Sequence, residues 1–203
     1  MKLHFNTTSP FVRKVRIFAL ETGLDKNIEE IPTAVSPLKA NPELAKANPL
    51  GKLPTLLLDN GTALFDSPVI CEYLDSLHEG RKLFPPAGAA RWSALRLQAL
   101  GDGILDVGGL CRVEVAMRPQ ELRWQDWIAG HEEKWHSALD LLEGEAATLA
   151  GEPTIGSIAV GCALGWLDFR FGDDNWRSSR PQLARWYEQF SARASMQATV
   201  PKA

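Results

Sequence analysis

The chain has 203 residues, 45% of them hydrophobic and 23% charged, with a formal net charge of -3 and a pI near 5.8. That length and apolar content suffice for one sizeable core or two smaller ones, and the mild acidity excludes the basic stripe of a nucleic-acid binder. Its three cysteines, Cys71, Cys111 and Cys162, stand far apart with no Cys-x-x-Cys pair, which suits a reducing compartment and argues against a disulfide scaffold or a zinc site.

Lys2 to Asn6 reads as a strand. No apolar run precedes Ser9-Pro10 and Arg13-Lys14 follow at once, so the start does not read as a secretory signal and a cytoplasmic location is expected. Pro10 to Gly23 reads as a helix, with Val12, Val15, Phe18 and Ala19 at core spacing and Gly23 as its stop. Arg13, Lys14 and Arg16 read as its solvated face. Asn27 to Ile31 is a weaker strand. Residues 33–48, rich in Pro, Ala and Lys, form a long connection that carries a short helix.

Thr55–Asp59 and Thr62–Phe65 flank Asn60-Gly61, the dipeptide that suits a type I′ hairpin turn because both residues tolerate φ > 0. Ser67 to Leu77 is then a helix with Val69, Ile70, Tyr73, Leu74 and Leu77 on its buried stripe. This β-α-β-α-β-β-α order predicts an α/β domain over residues 1–80. The pattern stops at 81–90, where Pro85-Pro86 cannot sit inside a helix, and this stretch reads as a linker. Over 91–203 there is no strand signal. Helical periodicity recurs at 91–117, 121–149, 157–170 and 181–193, predicting an all-helical domain.

The longest apolar stretch, Ile155 to Leu167, is broken by Gly156, Ser157, Gly161 and Gly165 and falls short of the ~20 residues of a membrane span, so no membrane partner is expected. All seven tryptophans lie in the helical half, as core filler or as an aromatic wall for a substrate. Thr154 caps the 157–170 helix, and Ser157 at the fourth position makes a weaker capping box than an acid would.

Three short segments carry candidate chemistry. Ser9-Pro10 is an N-cap followed by the favoured first helical residue. A hydroxyl there can do no more than cap, or it can stabilise a thiolate beside the positive end of the helix dipole, with Thr8 and Thr7 as alternatives to Ser9. Lowering a thiol pKa of about 8.5 by two requires roughly 2.7 kcal/mol of preference for the anion. One charge-assisted hydrogen bond of ~1.5–3 kcal/mol, with ~0.3–1 kcal/mol from the dipole, supplies it. The second segment is Asn48-Pro49-Leu50-Gly51-Lys52-Leu53-Pro54, in which Pro54 opens a strand, a place where a cis bond is tolerated. The third, Asp66-Ser67-Pro68, repeats the Ser-Pro helix start; Ser67 reads as an N-cap or as part of a carboxylate site.

These motifs, in this order and spacing, resemble those of the soluble glutathione transferases. The resemblance implies a thioredoxin-like N-terminal domain and an all-α helical-bundle C-terminal domain. It also implies glutathione as co-substrate, conjugated to a small electrophile, with a peroxidase side-activity by the same thiolate. Ser9 stands at the position that is Cys in omega-like members, and a Ser can donate a hydrogen bond but cannot form a mixed disulfide. The remaining glutathione contacts implied are Phe11, Lys52 at the glycine carboxylate, Leu53 and cis Pro54 at the cysteinyl backbone, and Asp66 and Ser67 at the γ-glutamyl end. A non-catalytic glutathione-binding or protein-interaction role is the alternative, because some relatives have lost the activating residue.

Gly101, Gly103, Gly108 and Gly109 inside a helical pattern suggest close backbone approach, to a second subunit or to a ligand. Asp102 and Asp106 share one helix face, either solvated or bordering a cleft at a dimer seam, with Leu105, Gly109 and Arg112 lining an acceptor pocket. A two-fold homodimer is expected. His4, His78, His131 and His136 lack metal-ligand spacing, and no glycine-rich phosphate loop occurs, so neither a metal nor a nucleotide cofactor is expected.

Overall fold

A computed structural model describes residues 1–202. The element order is β1 (Lys2–Phe5), α1 (Pro10–Thr22), β2 (Glu29–Pro32), α2 (Pro42–Ala47), β3 (Thr55–Leu57), β4 (Ala63–Leu64), α3 (Ser67–Ser76), α4 (Gly88–Met117), α5 (Gln125–Gly144), α6 (Ile155–Arg170), α7 (Pro181–Ser191) and α8 (Ala194–Ala198). The expected α/β fold is followed by the expected helices. One unit comprises Met1–Pro86 together with the segment from Ala194 onward, and the other Ala87–Arg193. The last helix of the chain, α8, groups with the first unit, where it packs on α1.

In the first unit, the sheet order is β2-β1-β3-β4. Strands β1 and β2 are parallel, with α1 as their crossover; β3 runs antiparallel to β1 and to β4. Helix α1 stops at Gly23, whose φ of +71° only glycine adopts freely, and Leu24 N–H closes on the Ala19 carbonyl at 2.8 Å. Val12, Val15, Phe18 and Ala19 are buried as their spacing predicts.

The solvated face expected of α1 is not there. Arg13 is 5% exposed and Lys14 fully buried. Arg13 Nη2 donates to the Met196 carbonyl at 3.1 Å and its Nε to Thr199 Oγ1 at 3.4 Å, while Ser195 Oγ donates to Glu21. Lys14 Nζ lies 5.8 Å from the Phe11 ring centroid, and Arg16 pairs with Glu30.

Two further expectations need correction. The hairpin does not use a type I′ turn: Gly61 N–H donates to the Leu58 carbonyl and Leu58 N–H to the Thr62 carbonyl, and Gly61 alone has positive φ, at +84°. A three-residue loop, Asp59-Asn60-Gly61, ends in a left-handed glycine, and the Asn60 side chain accepts from Thr62 N–H instead of occupying a left-handed position. On α3, Val69 and Leu77 are exposed, and Cys71 and Asp75 take their places beside Ile70 and Leu74. Asp75 is held inside because its carboxylate accepts from the Leu83 and Phe84 amides.

In the second unit, every residue of α6 from Ile155 to Leu167 is buried, as a helix apolar on all sides requires. Its start is a complete capping box: Thr154 N–H donates to Ser157 Oγ at 2.9 Å and Ser157 N–H to Thr154 Oγ1 at 3.4 Å. Serine thus closes the box that was expected to be weak. Trp135, Trp166, Trp176 and Trp186 fill the interior, whereas Trp92, Trp124 and Trp127 are exposed.

Two of the four α4 glycines are places of close approach within the unit. A Cβ on Gly101 would lie 2.7 Å from the Ala159 carbonyl carbon, and one on Gly108 would lie 2.7 Å from the Trp166 ring. Gly103 and Gly109 face open space.

None of the three cysteines is in a disulfide, and all are buried. Burial, with a contribution from Glu132 against an opposing one from Lys134, pushes the Cys111 thiol up to about 11. A thiol-specific chromogenic reagent at pH 7.5 is therefore expected to label no cysteine until denaturant is added. Prompt labelling of the native chain would contradict this burial.

Candidate functional site

The sheet register gathers the three motif segments at one end. His4 pairs with Thr55 and Leu56 with Leu64, so the ends of β1 and β4 and the start of β3 adjoin. The loop before α1, the Leu53-Pro54 step and the segment leading into α3 therefore leave the sheet at the same end.

The Asn6–Ser9 loop is organised by a residue that the sequence did not single out. Asn6 Oδ1 accepts from Ser9 N–H at 2.7 Å, from Thr8 N–H at 3.2 Å and from Thr8 Oγ1 at 3.4 Å. Thr7 Oγ1 donates to the Lys202 carbonyl at 2.9 Å. Ser9 caps α1 as predicted, its Oγ accepting from Val12 N–H at 3.3 Å. The three hydroxyls are thus chemically distinct. Thr7 and Thr8 spend their protons within the protein, whereas the Ser9 hydroxyl has no acceptor among the described residues. Phe11, the second residue of α1, is half-buried.

A second asparagine orders the next segment. The buried Asn48 donates through Nδ2 to the Lys52 carbonyl at 3.1 Å and to Thr55 Oγ1 at 3.0 Å, and its Oδ1 accepts from Leu50 N–H. Gly51 adopts φ of +61° to complete the turn. The Leu53–Pro54 bond is cis. Leu53 lies outside β3, and its N–H and C=O make no hydrogen bond among the described residues. Lys52 is exposed and makes no ion pair among them.

At α3 the N-cap position belongs to Asp66, not to Ser67 as one reading held, because Ser67 already has helical geometry as the first residue of the helix. The Asp66 carboxylate is exposed and makes no capping bond. Ser67 is 1% exposed, and its Oγ has no hydrogen-bond partner among the described residues. Buried hydroxyls in folded proteins are almost always paired. The first helical bond is Ile70 N–H to the Asp66 carbonyl, so the Ser67 and Val69 amides before it remain available. An unmet hydroxyl, two helix-start amides and a carboxylate make a site suited to a group carrying both a carboxylate and an ammonium.

The residues expected to line an acceptor pocket lie in the second unit. Leu105 is 2% exposed and belongs to the core, since its helix face turns into the bundle. Gly109 borders open space, and Arg112 is partly exposed. Asp106 is exposed and Asp102 half-buried. Among the described residues no group of His, Cys, Asp and Glu could hold a metal ion, and no helix is long and apolar enough to cross a membrane.

A thioredoxin-like sheet that presents a helix-start hydroxyl, a cis-proline step and a Ser-Pro helix start at one end defines the glutathione-binding class of this fold. Comparison with known proteins agrees. Residues 8–77 match the glutathione S-transferase N-terminal domain family, and residues 125–189 the C-terminal domain family. The chain is 35% identical over 205 residues to the uncharacterized GST-like protein YibF of Escherichia coli K12, covering 99% of this chain and 98% of that one. A crystal structure of a glutathione transferase family member from Pseudomonas fluorescens Pf-5 with bound glutathione superposes with a TM-score of 0.98 at 46% identity, covering 100% and 99% of the two chains. A glutathione S-transferase from Methylobacillus flagellatus KT, also with glutathione bound, gives 0.90 at 33% identity, covering 99% of each. The chain belongs to the glutathione S-transferase family.

Proposed function

We propose that the protein is a glutathione transferase that conjugates reduced glutathione to a small electrophile in the cytoplasm. The observation that carries this reading is the buried, unpartnered Ser67 hydroxyl beside the free amides of α3, which a γ-glutamyl α-carboxylate satisfies. Asp66 accepts from the α-ammonium, and the vacant Leu53 amide and carbonyl pair with the cysteinyl backbone as one rung of a sheet. Lys52 balances the glycine carboxylate, and Phe11 flanks the thiol.

Ser9 donates its uncommitted proton to the sulfur, favouring the thiolate. The thiol proton leaves to solvent, sulfur bonds to the electrophilic carbon, and that carbon's leaving group departs with its electron pair. The Pseudomonas relative has also been crystallised with S-(propanoic acid)-glutathione, a thioether of the kind such a reaction makes. Gly109 and Arg112 contribute to the acceptor pocket. Thiol-form cysteines suit the reducing compartment. A two-fold homodimer is part of the same reading, since α3 leaves Val69 and Leu77 exposed for a second copy to cover.

The test is a titration of bound glutathione, followed by thiolate absorbance, in wild type and Ser9→Ala. Alanine is expected to leave glutathione affinity nearly unchanged and to raise the bound thiol's pKa by about 1–2, the loss of one charge-assisted hydrogen bond. Helix capping suffers by ~0.5–2 kcal/mol, so melting is followed in parallel. Identical titrations would make Ser9 a cap only and favour the non-catalytic binder.

A further inference from the structure

Strand β2 lies at the sheet edge and breaks the pattern of the strand beside it. Leu3 of β1 pairs with Glu30 of β2, and register partners point to the same face of a sheet. Glu30 pairs with Arg16 of α1, so this is the face that α1 covers. Ile28, in extended backbone two residues before Glu30 (φ -119°, ψ 115°), turns the same way. An apolar residue at position 30 would continue the layer begun by Leu3. Glu30 instead holds the Arg16 guanidinium, and beside this ion pair the helix and sheet leave a cavity of about 240 Å³.

Leu3 and Val15 line the cavity from buried positions, and Leu20, Ile28 and Ala198 of α8 from partly or fully exposed ones. All of them belong to the sheet unit. Three charged residues line it as well, and two of them satisfy each other. Arg16 pairs with Glu30, and its guanidinium also lies 5.6 Å from the Phe5 ring centroid. Asp25 is half-buried in the turn after α1, where its backbone carbonyl accepts from Ile28 N–H at 3.2 Å. Its carboxylate makes no hydrogen bond or ion pair among the described residues. An apolar lining thus comes with one negative charge that no protein cation meets. Leu20 stands about three turns of α1 beyond Ser9, so the cavity is separate from the glutathione segments.

We propose that this cavity is a second ligand site, for a small organic cation that carries a primary ammonium on an apolar body. Asp25 receives the ammonium in a charge-assisted hydrogen bond, and the body displaces water from Leu3, Val15 and Ile28. The volume falls below the ~300–1,000 Å³ of a pocket for a drug-sized ligand, which limits the occupant to about one ring. Anions are disfavoured, because Glu30 already meets Arg16 and Asp25 repels them. The site goes beyond the transferase reading and does not depend on it.

The experiment titrates the whole, isotope-labelled protein with three single-ring probes, 2-phenylethylammonium, 2-phenylethanol and 3-phenylpropionate, and follows backbone amide shifts by NMR. The ammonium is expected to bind about 5- to 20-fold more tightly than the alcohol, and the carboxylate is expected not to saturate. The shifts are expected to centre on Leu3, Leu20, Ile28 and Ala198. Asp25→Asn is expected to bring the ammonium and the alcohol to within about twofold of each other. Ala198→Trp, at an exposed position of α8, fills the cavity from outside and is expected to abolish binding of both. Neither position is in the core, so both variants are expected to fold. Equal affinities in the wild type, or a preference for the ammonium that survives Asp25→Asn, overturn the cation site. No saturable binding of the ammonium, shifts centred elsewhere, or binding that survives Ala198→Trp overturns the cavity as its place.

Discussion

Ser67→Ala is expected to move stability and ligand affinity in opposite directions. The Ser67 hydroxyl is buried and makes no hydrogen bond among the described residues, so the ligand-free protein bears its desolvation cost of ~1–3 kcal/mol without return. Alanine removes that cost, and no cap is lost, because Asp66 and not Ser67 holds the N-cap position. The ligand-free variant is therefore expected to unfold at the wild-type temperature or above it. Glutathione affinity, read by calorimetry, is expected to fall about 10- to 100-fold, because the γ-glutamyl carboxylate loses a buried donor. A lower melting temperature with undiminished affinity would make Ser67 a structural residue and remove the observation on which the proposed function rests.

The second large effect separates two glycines of one helix. Gly101→Ala is expected to destabilise the helical unit by ~1–3 kcal/mol even though alanine favours the helix. Its Cβ would meet the Ala159 carbonyl carbon at 2.7 Å and the Val160 nitrogen at 2.9 Å. Backbone atoms of a buried helix can yield only if α4 and α6 move apart, which opens voids along the whole contact. Gly103→Ala, two residues on, meets nothing within 4 Å and is expected to stabilise by ~0.5–1 kcal/mol from helix propensity alone. Thermal melts of the two variants should shift with opposite signs. Equal shifts would mean that the α4–α6 approach is looser than these distances require.

The sequence disclosed most where a residue's role is local. Ser9-Pro10, Gly23 and Thr154 start and stop helices through bonds within a few residues, and each acts at the predicted position. The site motifs were legible for the same reason. Arg13 was misread because the groups that receive its guanidinium come from residues more than 180 positions away, which no helical period can reveal. Asn6 and Asn48 were overlooked as organisers: an asparagine that accepts three bonds from its own loop has the same letter as one facing water. Asn48 stood inside a quoted motif, and its place before Pro-x-Gly was the available signal. Nothing comparable marked Asn6. Leu105 was placed in the pocket by helical spacing, but its face turns inward, and period alone does not say which apolar stripe meets the core.

The return of residues 194–199 to α1 bears on how the protein is made. A ribosome releases the sheet and its helices early, yet Arg13 then lacks the Met196 carbonyl and Thr199 hydroxyl that receive its guanidinium. Domains ordinarily mature in the order in which they emerge. Here the sheet unit, begun before the helical unit, is completed after it, and until translation has passed Thr199 it carries a charged guanidinium whose partners at Met196 and Thr199 do not yet exist. Nascent chains halted before residue 194 should be more open to protease around α1 than the released protein.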